Sequence, residues 1–198
     1  MEKELAAGLS AIIVLCSMGY YVVQVLRRAI IPHAFSWFVW LVATLIVLAG
    51  LVAKDEGAAV WRNVFMAVAC AVVFVVSLTN GSRYIRPLDW LMLAGALAAI
   101  PVWLATDDPT YAAAWLLLVE GLAAIPTIRK VYAHPFDDSL LASFANMFSQ
   151  LLALYSLQHY SLMGIIYFGG WAAMQWVFCV VATWRRMALA GNVRRKPT

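Results

Sequence analysis

The sequence predicts an all-α membrane protein with seven transmembrane helices. Two parallel three-helix bundles are joined by an inverting fourth helix, with the amino terminus outside and the carboxy terminus cytoplasmic. Three observations predict this. The 198-residue chain is 65% hydrophobic and only 12% charged, about half the charged share of a soluble domain, so charges are too few to cover a water-facing surface. The apolar residues fall into runs long enough to span a bilayer. The basic residues collect at one set of run ends.

The runs come first. A spanning helix needs about 20 mostly apolar residues, and residues 5–26, 34–52, 58–78, 88–105, 111–128, 139–157 and 161–184 qualify. The gaps hold Pro32, the Lys54-Asp55-Glu56-Gly57 turn, Asn80-Gly81-Ser82, Asp107-Asp108-Pro109, Pro135 and Gln158-His159. Helices are expected because in lipid the backbone polar groups must be satisfied within the segment. The runs do not alternate in the way a barrel strand would. The start, Met1-Glu2-Lys3-Glu4, lacks the basic region of a cleaved signal peptide, so the first run is expected to remain as a span.

Orientation rests on the basic residues. One set of ends carries Arg27, Arg28, Arg83, Arg86, Arg129, Lys130, Arg185, Arg186, Arg194, Arg195 and Lys196; the other carries Lys3, Lys54 and Arg62. Basic residues stay cytoplasmic, which puts the amino terminus outside. An odd number of spans is then required, as the run count gives.

A repeat is expected between residues 23–36 and 126–139, 103 positions apart. At this offset Pro32 falls on Pro135, Ser36 on Ser139 and Arg27 on Lys130. Both stretches join one apolar run to the next. The organisation read from this is a first three-helix repeat over 1–80, a linker helix over 81–108, a second repeat over 109–186 and a basic tail over 187–198. Parallel repeats about an axis along the membrane normal are a transporter plan, with the site where the repeats meet.

These residues resemble the PQ-loop superfamily, which includes the SWEET sugar transporters and the lysosomal cystine and cationic amino-acid exporters. The family motif is a Pro-Gln pair near the end of the first helix of each bundle, followed by a basic residue and a polar turn. Here Gln24 stands for the second member in the first repeat and Pro126 for the first member in the second. Arg27, Arg28, Arg129 and Lys130 stand where the family has basic residues. The phrase His33-Ala34-Phe35-Ser36-Trp37 also looks like small bacterial membrane proteins of this plan. The resemblance implies two bundles rocking around a midplane site, with Pro126 as a hinge, in a bacterial cytoplasmic membrane.

Glu120 is the sharpest candidate for chemistry. It lies about nine residues, or roughly 13 Å, into its run. A carboxylate at that depth is costly, and by default it is functional and faces the bundle interior. It is read either as a proton-coupling or amine-binding group, or as a carboxyl that ties helices together. Asn146, Ser149 and Gln150 give the sixth run a polar side, for a solute or for neighbouring helices. Ser17, Tyr20 and Gln24 form a comparable stripe on the first run, and Gln175 is a lone amide in the last. Trp37 and Trp40 share one helix face and serve either to stack a planar or cationic solute or to anchor at the interface. Trp61, Trp90 and Trp184 fit an aromatic belt. Pro101 is read as a kink that shapes the bundle.

Other classes find little support. Cys16, Cys70 and Cys179 have neither metal nor disulfide spacing. His33, His134 and His159 show no ligand pattern, and there is no phosphate-binding glycine loop. The expectation is a non-enzymatic small-solute transporter without cofactor or metal. Its partners would be the solute, membrane lipid and, compatibly, a second copy of the chain, but no nucleic acid. A non-transporting receptor or sorting protein of the same plan and a lipid flippase are the alternatives.

Overall fold

The computed structural model describes residues 1–28, 32–80, 87–133, 135–136 and 140–194, excluding the side chains of 80, 123, 125–127, 129, 130, 142 and 190–194. Helices fill it, and no strand occurs among the described residues. They are α1 (Glu2–Leu26), α2 (Ala34–Ala53), a 3-10 turn (Gly57–Ala59) leading into α3 (Val60–Asn80), α4 (Pro87–Leu97), α5 (Ala99–Thr106), α6 (Pro109–Ala133), α7 (Leu140–Ser156), and a last rod. That rod comprises α8 (Leu162–Gly164), a π segment (Ile165–Gly169) and α9 (Gly170–Arg194).

Five stretches are long and apolar enough to cross a bilayer: Glu2–Leu26, Ala34–Ala53, Gly57–Thr79, Pro87–Thr106 and Leu162–Leu189. The protein is therefore an all-helical integral membrane protein. Its outer surface carries the apolar side chains that lipid requires, such as Leu5, Leu104, Leu141 and Met187. Trp61 and Trp90 are also exposed, near helix starts, and Trp184 is exposed in the interior of the last helix, ten residues before its end at Arg194.

Local chemistry sets the breaks. The run expected at 88–105 is one rod interrupted at Ala98. Pro101 lacks the N–H that would bond the Leu97 carbonyl, and its ring crowds that carbonyl, so the helix restarts as α5. α5 stops at Asp107, which adopts φ 52°, a left-handed conformation that a short polar side chain tolerates. Asp108 then caps α6, its Oδ1 accepting from the Thr110 N–H at 3.0 Å, with Pro109 at the first helical position. Ser161 starts α8 in the same way, its Oγ accepting from the Gly164 N–H at 3.1 Å.

Two expected boundaries shift. α6 runs through Pro126 to Ala133, so Arg129 and Lys130 belong to the helix rather than to a following loop. α9 continues to Arg194, so residues 187–194 are helix, not a separate tail. Arg185 and Arg186 hold this end: Arg185 Nε donates to the Tyr132 carbonyl at 2.9 Å and Arg186 Nε to the Pro135 carbonyl at 2.8 Å. Cations there also suit the carboxy-terminal end of α6.

The packing has an internal symmetry. α3 packs on α1 and α2, and α9 packs on α6 and α7. Across the middle, α1 packs on α7 and α2 on α6. The pattern is unchanged when α1, α2 and α3 are exchanged for α6, α7 and α9. Details recur at the 103-residue offset read from the sequence. α2 ends at Ala53 and α7 at Ser156. Gly57 and Tyr160, also 103 apart, both adopt positive φ, 60° and 51°. α4 and α5 lie outside this exchange; α4 packs on α2 and α6, and α5 on α6.

Candidate binding cleft and a buried polar seam

Where α2 meets α6 there is a cleft of about 470 Å³. Phe35, Val39, Trp40 and Ala43 line it from α2, Asp89, Met92 and Ala96 from α4, and Leu116, Val119 and Glu120 from α6. These positions follow helical spacing, so each helix gives one face to the cleft. α4 is held on α6 by the Trp115 indole N–H, which donates to the Gly95 carbonyl at 2.8 Å. The end of the cleft near the α2 and α4 amino termini is closed by Asp89, 3.8 Å from His33 Nε2, and by an edge-on stack of Phe35 and Trp90 with centroids 5.0 Å apart.

Glu120 is half-buried at the wall of this cleft. Its Oε2 accepts from the Trp171 indole N–H of α9 at 3.1 Å. That donor fixes the carboxyl where α6 and α9 touch, and leaves Oε1 without a hydrogen bond from any described residue. Tyr167, buried on the π segment, lies within electrostatic range of both Glu120 and Arg62.

Where α1 meets α7, the helices close on each other along their middle, and a surface hollow of about 610 Å³ lies at the amino-terminal rim, lined by Glu2, Lys3, Glu4 and Tyr155. Small residues Ala6, Ala7, Ser10 and Ala11 form the buried face of α1 and let the backbones approach. Ser10 Oγ donates to the Ser149 carbonyl at 2.7 Å, and Ser149 Oγ donates to the Ser10 carbonyl at 3.1 Å. Arg62, one turn into α3, completes the seam. Its Nε donates to Ser149 Oγ at 3.1 Å, Nη1 to Asn63 Oδ1 at 3.2 Å and Nη2 to Asn146 Oδ1 at 3.2 Å. Phe168 from the π segment faces the guanidinium at 6.0 Å. Arg62 is 3% exposed, and no described acid pairs with it. Asn63 Nδ2 and Gln150 Oε1, both buried, have no hydrogen-bond partner among the described residues.

The two halves are fastened at the end that carries the amino terminus. Lys54 Nζ pairs with Asp108 Oδ1 at 3.0 Å. Glu56, fully buried, accepts from the backbone N–H groups of Ser161 at 2.8 Å and His159 at 3.2 Å. Glu56 and His159 are themselves 103 residues apart, so the equivalent loops meet each other there. Lys3 Nζ donates to the Leu157 carbonyl at 2.7 Å and lies over the Tyr160 ring.

The sequence-derived candidates therefore separate. Glu120 and Trp40 reach the cleft. Asn146 and Ser149 reach the closed seam, and Gln150, one turn on from Asn146, is buried. Trp37 is buried behind Trp40 against Tyr21, with centroids 5.0 and 5.1 Å away; it is a core residue of the first three helices and not an interface anchor. Ser17 is turned back on its own helix, donating to the Val14 carbonyl at 3.1 Å. Tyr20 is 68% exposed on the outside of α1. Gln24 and Gln175 are half-buried away from the cleft lining. Pro126 is helical, with its side chain outside the described residues, and His134 lies outside them altogether. His33 and His159 stand beside Asp89 and Asp55, and no group of three metal ligands occurs among the described residues.

Arg62, Glu56, Asp89 and Trp171 join these sites unannounced by their spacing. Arg62 was counted with the loop charges, yet the apolar run 58–78 already contained it. A charge inside a run is the signal for burial, and it outweighs the tally of ends. Compared with family models, curated proteins and solved structures, the chain finds no match.

Proposed function

We propose that the chain is a seven-span transporter for a small solute, of the PQ-loop type, working by alternating access in a bacterial cytoplasmic membrane with the amino terminus outside. The observation that carries this reading is the unequal meeting of the two helix triplets. They are fastened at the amino-terminal end and along α1 and α7, while α2 and α6 part around Glu120. Two like units that touch at a closed seam and a cleft are what a rocking exchange needs. Glu120 meets the solute or exchanges a proton, Trp40 lines its path, and Pro126 is the position for a hinge. The burial of Arg62 removes one charge from the outer count and leaves the orientation unchanged, since Lys3 and Lys54 still face eleven residues at the other end.

The test is accessibility. Val119→Cys lines the cleft, in a background with Cys16, Cys70 and Cys179 replaced by alanine. A transporter exposes this position to a membrane-impermeant thiol reagent from each side of the bilayer in turn. Reaction from one side alone would overturn the reading in favour of a non-transporting receptor. One feature favours a flippase instead: the exposed Leu88, Leu122 and Trp40 at the cleft rim face acyl chains. In that case, lipid headgroup translocation is the activity to measure.

A further inference from the structure

The lining of the cleft narrows the class of ligand, on the footing of the transport reading above. Among the described residues it holds two acids, Asp89 and Glu120, and neither lysine nor arginine. Asp89 stands next to His33, whereas Glu120 spends one oxygen on Trp171 and keeps the other free of described donors. Apart from Ser36, the remaining lining is apolar or aromatic. A polyhydroxylated solute would leave several hydroxyls without partners against this wall, each at a cost of about 1–3 kcal/mol. A single positive group is the complement of a single available carboxylate. The rim adds a second constraint. Leu88 is 54% exposed, Leu122 55% and Trp40 42%, and in an integral membrane protein such a rim meets lipid tails, so the cleft opens sideways into the bilayer.

We propose that the cleft binds a lipophilic organic cation entering from the bilayer. One ammonium group sits on the Glu120 carboxylate, and an aromatic or alkyl body lies against Phe35, Val39, Trp40 and Leu116. The low-dielectric wall strengthens the ion pair, and the pair offsets the cost of a carboxylate at this depth. Neutral and anionic molecules of the same shape lose that contact.

The probes are 2-phenylethylammonium, 2-phenylethanol and 3-phenylpropionate, applied to the purified full chain carrying Val119→Cys in the cysteine-free background. The readout is the rate of thiol alkylation at position 119. The ammonium is expected to slow alkylation saturably, while the alcohol and the carboxylate at equal micellar load do not. Glu120→Gln keeps an oxygen for the Trp171 N–H and removes the charge. It is expected to raise the half-protecting concentration about ten- to hundredfold, the span of a hydrogen bond to a charged group. Equal protection by all three probes would mean partition into micelles or acyl-chain occupancy only, and would overturn the proposal. If Glu120→Gln fails to fold, the ammonium-to-alcohol comparison on Glu120-bearing protein decides alone. Two-sided labelling without ammonium-selective protection sinks this inference and leaves transport standing. Selective protection with one-sided labelling does the reverse.

Discussion

The two places where the halves meet occupy equivalent positions at the 103-residue offset, yet they are built from opposite chemistry. On the α1–α7 side stand Ser10, Asn146, Gln150, Arg62 and Asn63; their counterparts on the α2–α6 side are Ala113, Ala43, Val47, Ile165 and Ile166. Hydrogen bonds draw the first pair of helices together. On the second, Ala43, Val47, Ala112, Ala113 and Leu116 belong to the main core, and the space beyond that core is the cleft. In a membrane, apolar residues gain little from leaving lipid for each other, whereas polar pairs hold helices together by about 0.6–2 kcal/mol each. The polar side is therefore the fastened one, and the apolar side is free to part.

The asymmetry extends to the backbone. The π segment Ile165–Gly169 is the counterpart of residues 62–66, which are regular α-helix. The extra residue in its turn presents Tyr167 and Phe168 to the buried guanidinium of the other half. π turns of this kind collect at functional positions. One half supplies a cation and the other supplies the local distortion that receives it.

The sharpest way to break the comparison is Arg62→Ala. It orphans the Asn63 and Asn146 oxygens and removes three hydrogen bonds from a charged donor. A loss of about 3 kcal/mol of stability is expected, read as a lower midpoint of thermal unfolding in detergent. Arg62→Met with Asn63→Leu and Asn146→Leu removes the donor and both orphaned acceptors together and should recover much of that loss, because the desolvated orphan is the costly species. If Arg62→Ala is neutral, the polar seam is not what holds α1 to α7.

Glu56→Ala comes next. It leaves the N–H groups of His159 and Ser161, in a partly exposed loop, without their buried acceptor, at a cost of about 1–3 kcal/mol. Glu56→Gln keeps one acceptor oxygen and should lose less. Hydrogen exchange at residues 159 and 161 is the direct check. Protection there should fall for Glu56→Ala while protection in α3 is retained, which separates loosening of this end from global unfolding.

Much of this architecture was legible in the chain. Apolar run length located the first three helices to within a few residues, but it ended α6 at 128 and the last rod at 184, short of Ala133 and Arg194, because the basic residues there continue the helix beyond the apolar run. The offset of Pro32 and Pro135 pointed to a repeat, and the helix contacts are unchanged when α1, α2 and α3 are exchanged for α6, α7 and α9. What stayed hidden was side-chain depth. Helical spacing put Ser17, Tyr20 and Gln24 on one stripe, but spacing does not say which side of the helix faces lipid, and Tyr20 turned outward. Glu56 was hidden by its neighbours: Lys54, Asp55 and Gly57 mark a turn, and nothing local separates a solvated acid in that turn from a buried cap for the opposite loop. Glu120 could be expected at a helix contact because an acid within a long apolar run rarely faces lipid, and it stands against Trp171 at the cleft wall.

The smallest expected effect concerns the tie between the halves at Asp108. The Thr110 backbone N–H, and then Lys54, hold this carboxyl down at about 2, below the usual value near 3.9 of an unfolded aspartate. A depressed carboxyl contributes stability that is fully present above the unfolded value and is lost as pH falls through the folded one. The contribution should therefore fade between about pH 4 and pH 2. Asp108→Asn keeps an acceptor for the Thr110 N–H and loses the pairing with Lys54. It should leave the unfolding midpoint at neutral pH nearly unchanged, because exposed ion pairs contribute little, and should flatten its acid dependence below about pH 4. An unaltered acid profile would mean that Lys54 and Asp108 do not fasten α2 to α6. The halves would then be held at this end by Glu56 with its two backbone partners and by Lys3 on the Leu157 carbonyl.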